Sequence, residues 1–156
     1  LTSPAPAPAA TYADLLLWGH EPYDSYSVFL IPGSAVPTAD DLSAAPEFVT
    51  DDGEDPLGWG LDGAGDVDGD NYDDFVVSDH LNDTVYLVFG SAAPASGTLP
   101  VARFFTGPTE SYVGFPASGV GDIDGNGLDD VLLGAPHDET TLEDQGVTYL
   151  VLSYGR

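Results

Sequence analysis

The chain has 156 residues, with 27 acidic and 2 basic side chains and a formal net charge of −25 at neutral pH. That balance cannot hold a phosphate backbone by charge, which excludes nucleic acid and anionic membrane surfaces as partners. With 42% hydrophobic and 11% aromatic residues it can bury a core, which excludes disorder, and without cysteine it has no disulfide, thiolate metal site or cysteine nucleophile.

The first segment, residues 1–11, is uncharged and rich in Pro and Ala. Pro4, Pro6 and Pro8 favour an extended, polyproline-like path. The opening Leu1-Thr2-Ser3-Pro4 reads as a processed N-terminus, and a truncated chain would read the same way. Apolar runs such as Leu15 to Trp18 and Val85 to Phe89 are too short to span a bilayer as helices, so no membrane insertion is expected.

Beyond that segment the chain repeats itself. Leu57 to Asp74 aligns without gaps with Val113 to Asp130, with identity at Gly58/Gly114, Gly63/Gly119, Gly65/Gly121, Asp66/Asp122, Asp68/Asp124, Gly69/Gly125, Asp73/Asp129 and Asp74/Asp130. Each copy runs on into a short apolar stretch, Phe75-Val76-Val77 or Val131-Leu132-Leu133. An alternating stretch follows, starting at Thr84 or Thr148. Another β-like run precedes each copy, Glu47 to Thr50 or Arg103 to Thr106. Ahead of the two full copies, Ala13 to Leu17 matches Asp73 to Val77, and Ser27 to Ser34 matches Thr84 to Ser91. The chain therefore divides into a half repeat over residues 12–45 and full repeats over 46–99 and 100–156.

Short β-branched and aromatic runs punctuated by Gly, Asp and Pro are strand and turn signals, and no convincing 3.6-residue period appears. The expected fold is all-β, with each repeat forming about four short strands, the size of one antiparallel propeller blade. Propellers have about four to eight blades. About two and a half are too few to close a ring.

Each full repeat carries a dense oxygen cluster: Asp66, Asp68, Asp70 and Asp74 in one, Asp122, Asp124, Asn126 and Asp130 in the other. Alternate carboxylates on a tight loop repel one another unless a hard cation sits among them. Calcium takes about 6–8 oxygens, backbone carbonyls included, so Tyr72 and Leu128 are expected to add theirs. Gly69 and Gly125 let the chain turn closely about an ion. An EF-hand is excluded, because Val77 and Leu133 stand where its bidentate Glu belongs and a strand follows the loop. Magnesium, which keeps several waters, suits such a cage less well. Two Ca²⁺ sites are expected.

Gly65-Asp66-Val67-Asp68-Gly69-Asp70, Gly134-Ala135-Pro136 and Gly146-Val147-Thr148-Tyr149 together resemble the FG-GAP repeat, the blade of integrin alpha-chain propellers and of bacterial and archaeal surface proteins. The resemblance covers both full repeats and the half repeat. It implies four-stranded blades with structural calcium in the loop between the inner strands. Leu57 and Val113 replace the family's Phe before Gly, while Ser78-Asp79-His80 and Trp18-Gly19-His20 replace Gly-Ala-Pro. The half repeat keeps only Asp14 of the calcium loop, so no complete third site is expected.

No catalytic motif surrounds His20, His80 or His137, and the conspicuous acids are committed to calcium; the chain reads as a non-enzyme. Trp18, Trp59, Phe104, Phe105 and Phe115 read as packing. Asn82-Asp83-Thr84 is an N-glycosylation sequon, and Thr2, Ser3 and Thr11 beside prolines are candidate O-glycan sites. The functional expectation is a calcium-stabilised extracellular or cell-surface protein that assembles with copies of itself into a filament or ring. A fragment of a larger adhesion propeller binding a protein or glycan is the alternative.

Overall fold

The computed structural model describes residues 14–20, 26–31, 33, 44–50, 57–99, 103–140 and 145–154. In chain order the strands are β1 (Leu15–His20), β2 (Tyr26–Ile31), β3 (Glu47–Val49), β4 (Leu57–Gly65), β5 (Asp74–Asp79), β6 (Thr84–Val88), β7 (Gly97–Thr98), β8 (Arg103–Thr106), β9 (Ala117–Gly121), β10 (Asp130–Ala135) and β11 (Val147–Val151). One turn of 3-10 helix, His80–Asn82, links β5 to β6.

The strands form three sheets, none of them closed into a ring: β1-β2-β3-β7, β4-β5-β6-β8 and β9-β10-β11. We call them sheets A, B and C. The all-β, blade-type reading holds, with two differences in detail. Among the described residues sheet C has three strands, and β7 joins β3 in parallel, the other pairings being antiparallel. The parallel pair arises because the chain leaves sheet B after β6, touches sheet A as β7, and returns to sheet B as β8. Leu99 N–H donates to Val49 C=O at 2.9 Å and extends that contact.

Sheet boundaries and sequence repeats are out of step by one strand. β3, at the start of the second repeat, pairs with β2 of the half repeat, and β8, at the start of the third, pairs with β6 of the second. Each of these sheets takes an outer strand from the repeat that follows it.

Two apolar cores separate the three sheets. Val28, Phe48, Leu57, Phe75, Val77 and Val88 fill the space between A and B, joined by Leu16 and Leu30. Ala64, Val76, Val85, Val131 and Leu133 fill the space between B and C. Strand side chains alternate between faces, so Phe75 and Val77 serve one core while Val76 serves the other. Every residue of β5 is buried, as the central strand of the middle layer requires.

Inner strands approach one another at glycine. A Cβ on Gly60 would lie 1.9 Å from Gly114 O, and one on Gly119 would lie 2.2 Å from Gly63 O. Among the described residues, β5 and β10 have β4 and β9 on their inner side, whereas β1 has no such neighbour. Beside it lies a cleft of about 790 Å³, lined by Leu16, Leu30, Leu61 and Phe75 and by the carboxylates of Asp14 and Asp73.

Candidate metal centres

The loop between β4 and β5 folds around its own first carboxylate. Asp66 Oδ1 accepts from the N–H groups of Gly69 (2.7 Å) and Asp70 (3.1 Å), and its Oδ2 accepts from Asn71 (2.9 Å). Asp68 Oδ1 accepts from Asp70 N–H, and Asp70 Oδ1 accepts from Tyr72 N–H. At the loop's end, Asp74 Oδ2 takes the N–H of Val67 at 2.9 Å. Gly69 sits at φ +82°, in the region that a residue with Cβ resists.

The loop between β9 and β10 repeats this pattern. Asp122 Oδ1 accepts from Gly125 (2.7 Å) and Asn126 (3.0 Å), and its Oδ2 accepts from Gly127 (2.8 Å). Asp124 Oδ1 accepts from Asn126 N–H, Asn126 Oδ1 from Leu128 N–H, and Asp130 Oδ2 from Ile123 N–H. Gly125 sits at φ +78°.

Both loops bring three carboxylates together. One oxygen each of Asp66, Asp68 and Asp74 lie within 4.8 Å of one another, as do those of Asp122, Asp124 and Asp130. Asp70 is outside its trio, and Asn126 holds Ser153 C=O through Nδ2 at 2.7 Å. The Asp74 carboxyl is raised to about 6, chiefly by burial, with the charges of Asp68 and Asp70 adding to the rise and the N–H groups of Gly90 and Val67 opposing it. A carboxylate so placed is stabilised by a neighbouring cation. The donors are all oxygens, as a hard cation such as Ca²⁺ prefers, so Asp66, Asp68, Asp74 and Asp122, Asp124, Asp130 fit a calcium ion.

Two features of these loops were not read from the sequence. The last aspartate of each loop, with its counterpart Asp14, is also a clasp: Asp74 Oδ1 accepts from Gly90 N–H at 2.7 Å, Asp130 Oδ1 from Ser153 N–H at 2.8 Å, and Asp14 Oδ1 from Gly33 N–H at 2.6 Å. This shared bond gives Asp14 a role without a loop around it. The loops also touch each other, since Asp66 N–H donates to Asp129 Oδ2 (3.0 Å) and Asp129 N–H to Asp66 C=O (3.1 Å). Asp129 is the acid next to the clasp and the repeat counterpart of Asp73, and its partner is set by contact between repeats.

A second carboxylate clasp joins sheets B and C. Asp83 is buried, and it accepts from Glu110 N–H (2.6 Å), Tyr112 N–H (2.7 Å) and Ser111 Oγ (3.1 Å). Beside it, His80 lies among aromatic rings, 4.9 Å from Trp59, 5.7 Å from Tyr112 and 5.8 Å from Phe115 by ring centroids. Burial lowers its pKa, against the pull of Asp83. Trp59 and Phe115, expected to be packing residues, are half exposed, as is Trp18. The pairing register of β4 slips between Leu57 and Leu61 and frees Trp59 from strict alternation. Phe115 lies in the turn before β9.

Asn82 is exposed at the end of the 3-10 turn, with Nδ2 donating to Asp79 Oδ2 at 2.9 Å. Thr2, Ser3 and Thr11 lie outside the described residues, as does the side chain of His20. Asp138 is held below the ordinary carboxylate range by hydrogen bonds from Thr140 and the Tyr149 hydroxyl, and the bond to Asp138 in turn raises Tyr149.

No curated protein matches the chain. Residues 115–151, which contain the second carboxylate loop and β9 to β11, match the family model for the FG-GAP repeat. Over those residues the chain is similar to the FG-GAP repeat, a repeat of integrin-like β-propeller-type domains.

Proposed function

We propose that this chain is a calcium-stabilised extracellular structural protein, the subunit of a surface filament or other homo-oligomer built by blade-to-blade or strand-addition contacts. The observation that carries the reading is the open architecture: three sheets stand in a row, none closes a ring, and β1 and β11 present sheet edges with no strand beside them among the described residues. Open edges and blade faces invite covering by another chain. FG-GAP repeats are typical of extracellular and surface proteins and often bind Ca²⁺. Among the described residues no helix is long and apolar enough to cross a membrane.

Calcium acts here as a staple. An ion bound only by the folded loops stabilises the fold by about 2.7 kcal/mol at a concentration 100 times its dissociation constant. The reading is tested by particle mass and negative-stain images in millimolar calcium and again in chelator, with calorimetric titration of the metal. Two bound Ca²⁺ per chain and assemblies that dissociate on chelation are the expected results. A monomer under both conditions would sink the assembly reading.

The exposed pair Trp59 and Phe115 favours a second reading, in which the chain is part of an adhesion propeller that holds a protein or glycan on its aromatic face. A panel of immobilised glycans and matrix proteins, probed with the wild type and with Trp59→Ala, separates the two.

A further inference from the structure

Repeat-equivalent positions show what each blade face requires against it. On β5, Phe75 and Val77 point into the core shared with sheet A and are 4% and 0% exposed. Val76, between them, points into the core shared with sheet C and is 2% exposed. The matching residues of β1 are Leu15, Leu16 and Leu17. Leu16 packs on the A–B core, while Leu15 and Leu17 turn to the far side and are 52% and 37% exposed.

The matching residues of β10 are Val131, Leu132 and Leu133. Val131 and Leu133 fill the B–C core, and Leu132 turns away at 37% exposure, beside its β11 partner Leu150 at 45%. The row of sheets thus ends in two apolar faces of opposite kind. One carries the residues that in sheet B meet the preceding blade, and the other carries those that meet the following blade.

We propose that these faces meet between molecules. The Leu132–Leu150 face of one copy packs on the Leu15–Leu17 face of a second copy, as sheet B packs on sheet C within the chain. This inference rests on the assembly reading and deepens it by naming the surfaces. Because the two surfaces differ, the contact is head-to-tail and produces either a closed ring or a filament. Two copies bring six sheets, within the range of about four to eight blades that closes a propeller. Acidic copies repel, so salt and bound calcium strengthen the contact.

Sedimentation over a concentration series, in calcium and high salt, tests the assignment with Leu17→Gln and Leu132→Gln. Both positions are exposed, so unchanged melting curves will show that the variants fold. Each variant alone is expected to self-associate about 10- to 100-fold more weakly than wild type, the loss of one buried leucine contact. Mixing the two restores pairing, since each retains the face that the other lacks. Variants that associate as well as wild type would overturn the face assignment and leave the assembly reading standing. Two impaired variants that do not rescue each other would overturn the head-to-tail arrangement. A wild type that stays at 16.2 kDa throughout would overturn both readings.

Discussion

The single side chains that tie loops and repeats together in this molecule are mostly carboxylates. Asp83 shows how much one can hold, with two backbone N–H groups and a hydroxyl of the next repeat ending on it. Asp83→Ala leaves those donors without an acceptor in a buried place, and a loss of about 2–4 kcal/mol is expected in denaturant unfolding. His80 contributes one part of the pH dependence. Burial keeps its folded pKa below the ordinary 6.5, so the stability linked to it is complete above that value and lost as pH falls through the lower folded value. Asp74, whose carboxyl is raised to about 6, works with the opposite sign, so the His80 contribution is read as a difference: as pH falls below 6.5, the denaturation midpoint of the wild type should fall relative to that of His80→Gln. A difference that does not change with pH would assign the titration to another group. The carboxylate trios were legible in the sequence because their members lie within nine consecutive residues. The roles of Asp83 and Asp129 were not, because their partners lie in another repeat, and Asp129 stands out in the sequence only as the repeat counterpart of Asp73.

Strands tell a similar story. Phe75 to Val77, Thr84 to Val88 and Val131 to Leu133 are legible as strands because β-branched and aromatic residues crowd them. The inner strands β4 and β9 are not, because glycine removes the alternation that marks a strand, and it does so where two backbones come closest. That closeness is testable. Gly60→Ala and Gly119→Ala each drive a methyl group into a backbone carbonyl, at 1.9 and 2.2 Å, and overpacking of this kind costs about 1–3 kcal/mol. Gly63, where a Cβ would meet nothing within 4 Å, provides the control: Gly63→Ala should leave the melting temperature nearly unchanged. Equal losses at all three positions would mean that the inner strands are not packed this tightly.

At the scale of the whole molecule, charge opposes compaction. A net charge of −25 with two cationic side chains makes the folded state repel itself, and salt screens that repulsion with a Debye length of about 10 Å at 0.1 M. Without calcium, the melting temperature should rise with added NaCl; with calcium bound, the rise should be smaller, because part of the repulsion is already relieved. A melting temperature indifferent to salt in chelator would show that the carboxylates are too far apart to matter. The offset between repeat and sheet also has a bearing on how the chain is made. During synthesis β6 emerges before β8, the strand that flanks it, and β2 before β3, so sheets A and B each stand with an open side until the next repeat has begun to leave the ribosome. A chain interrupted at a repeat boundary would therefore lack the outer strand of its last blade.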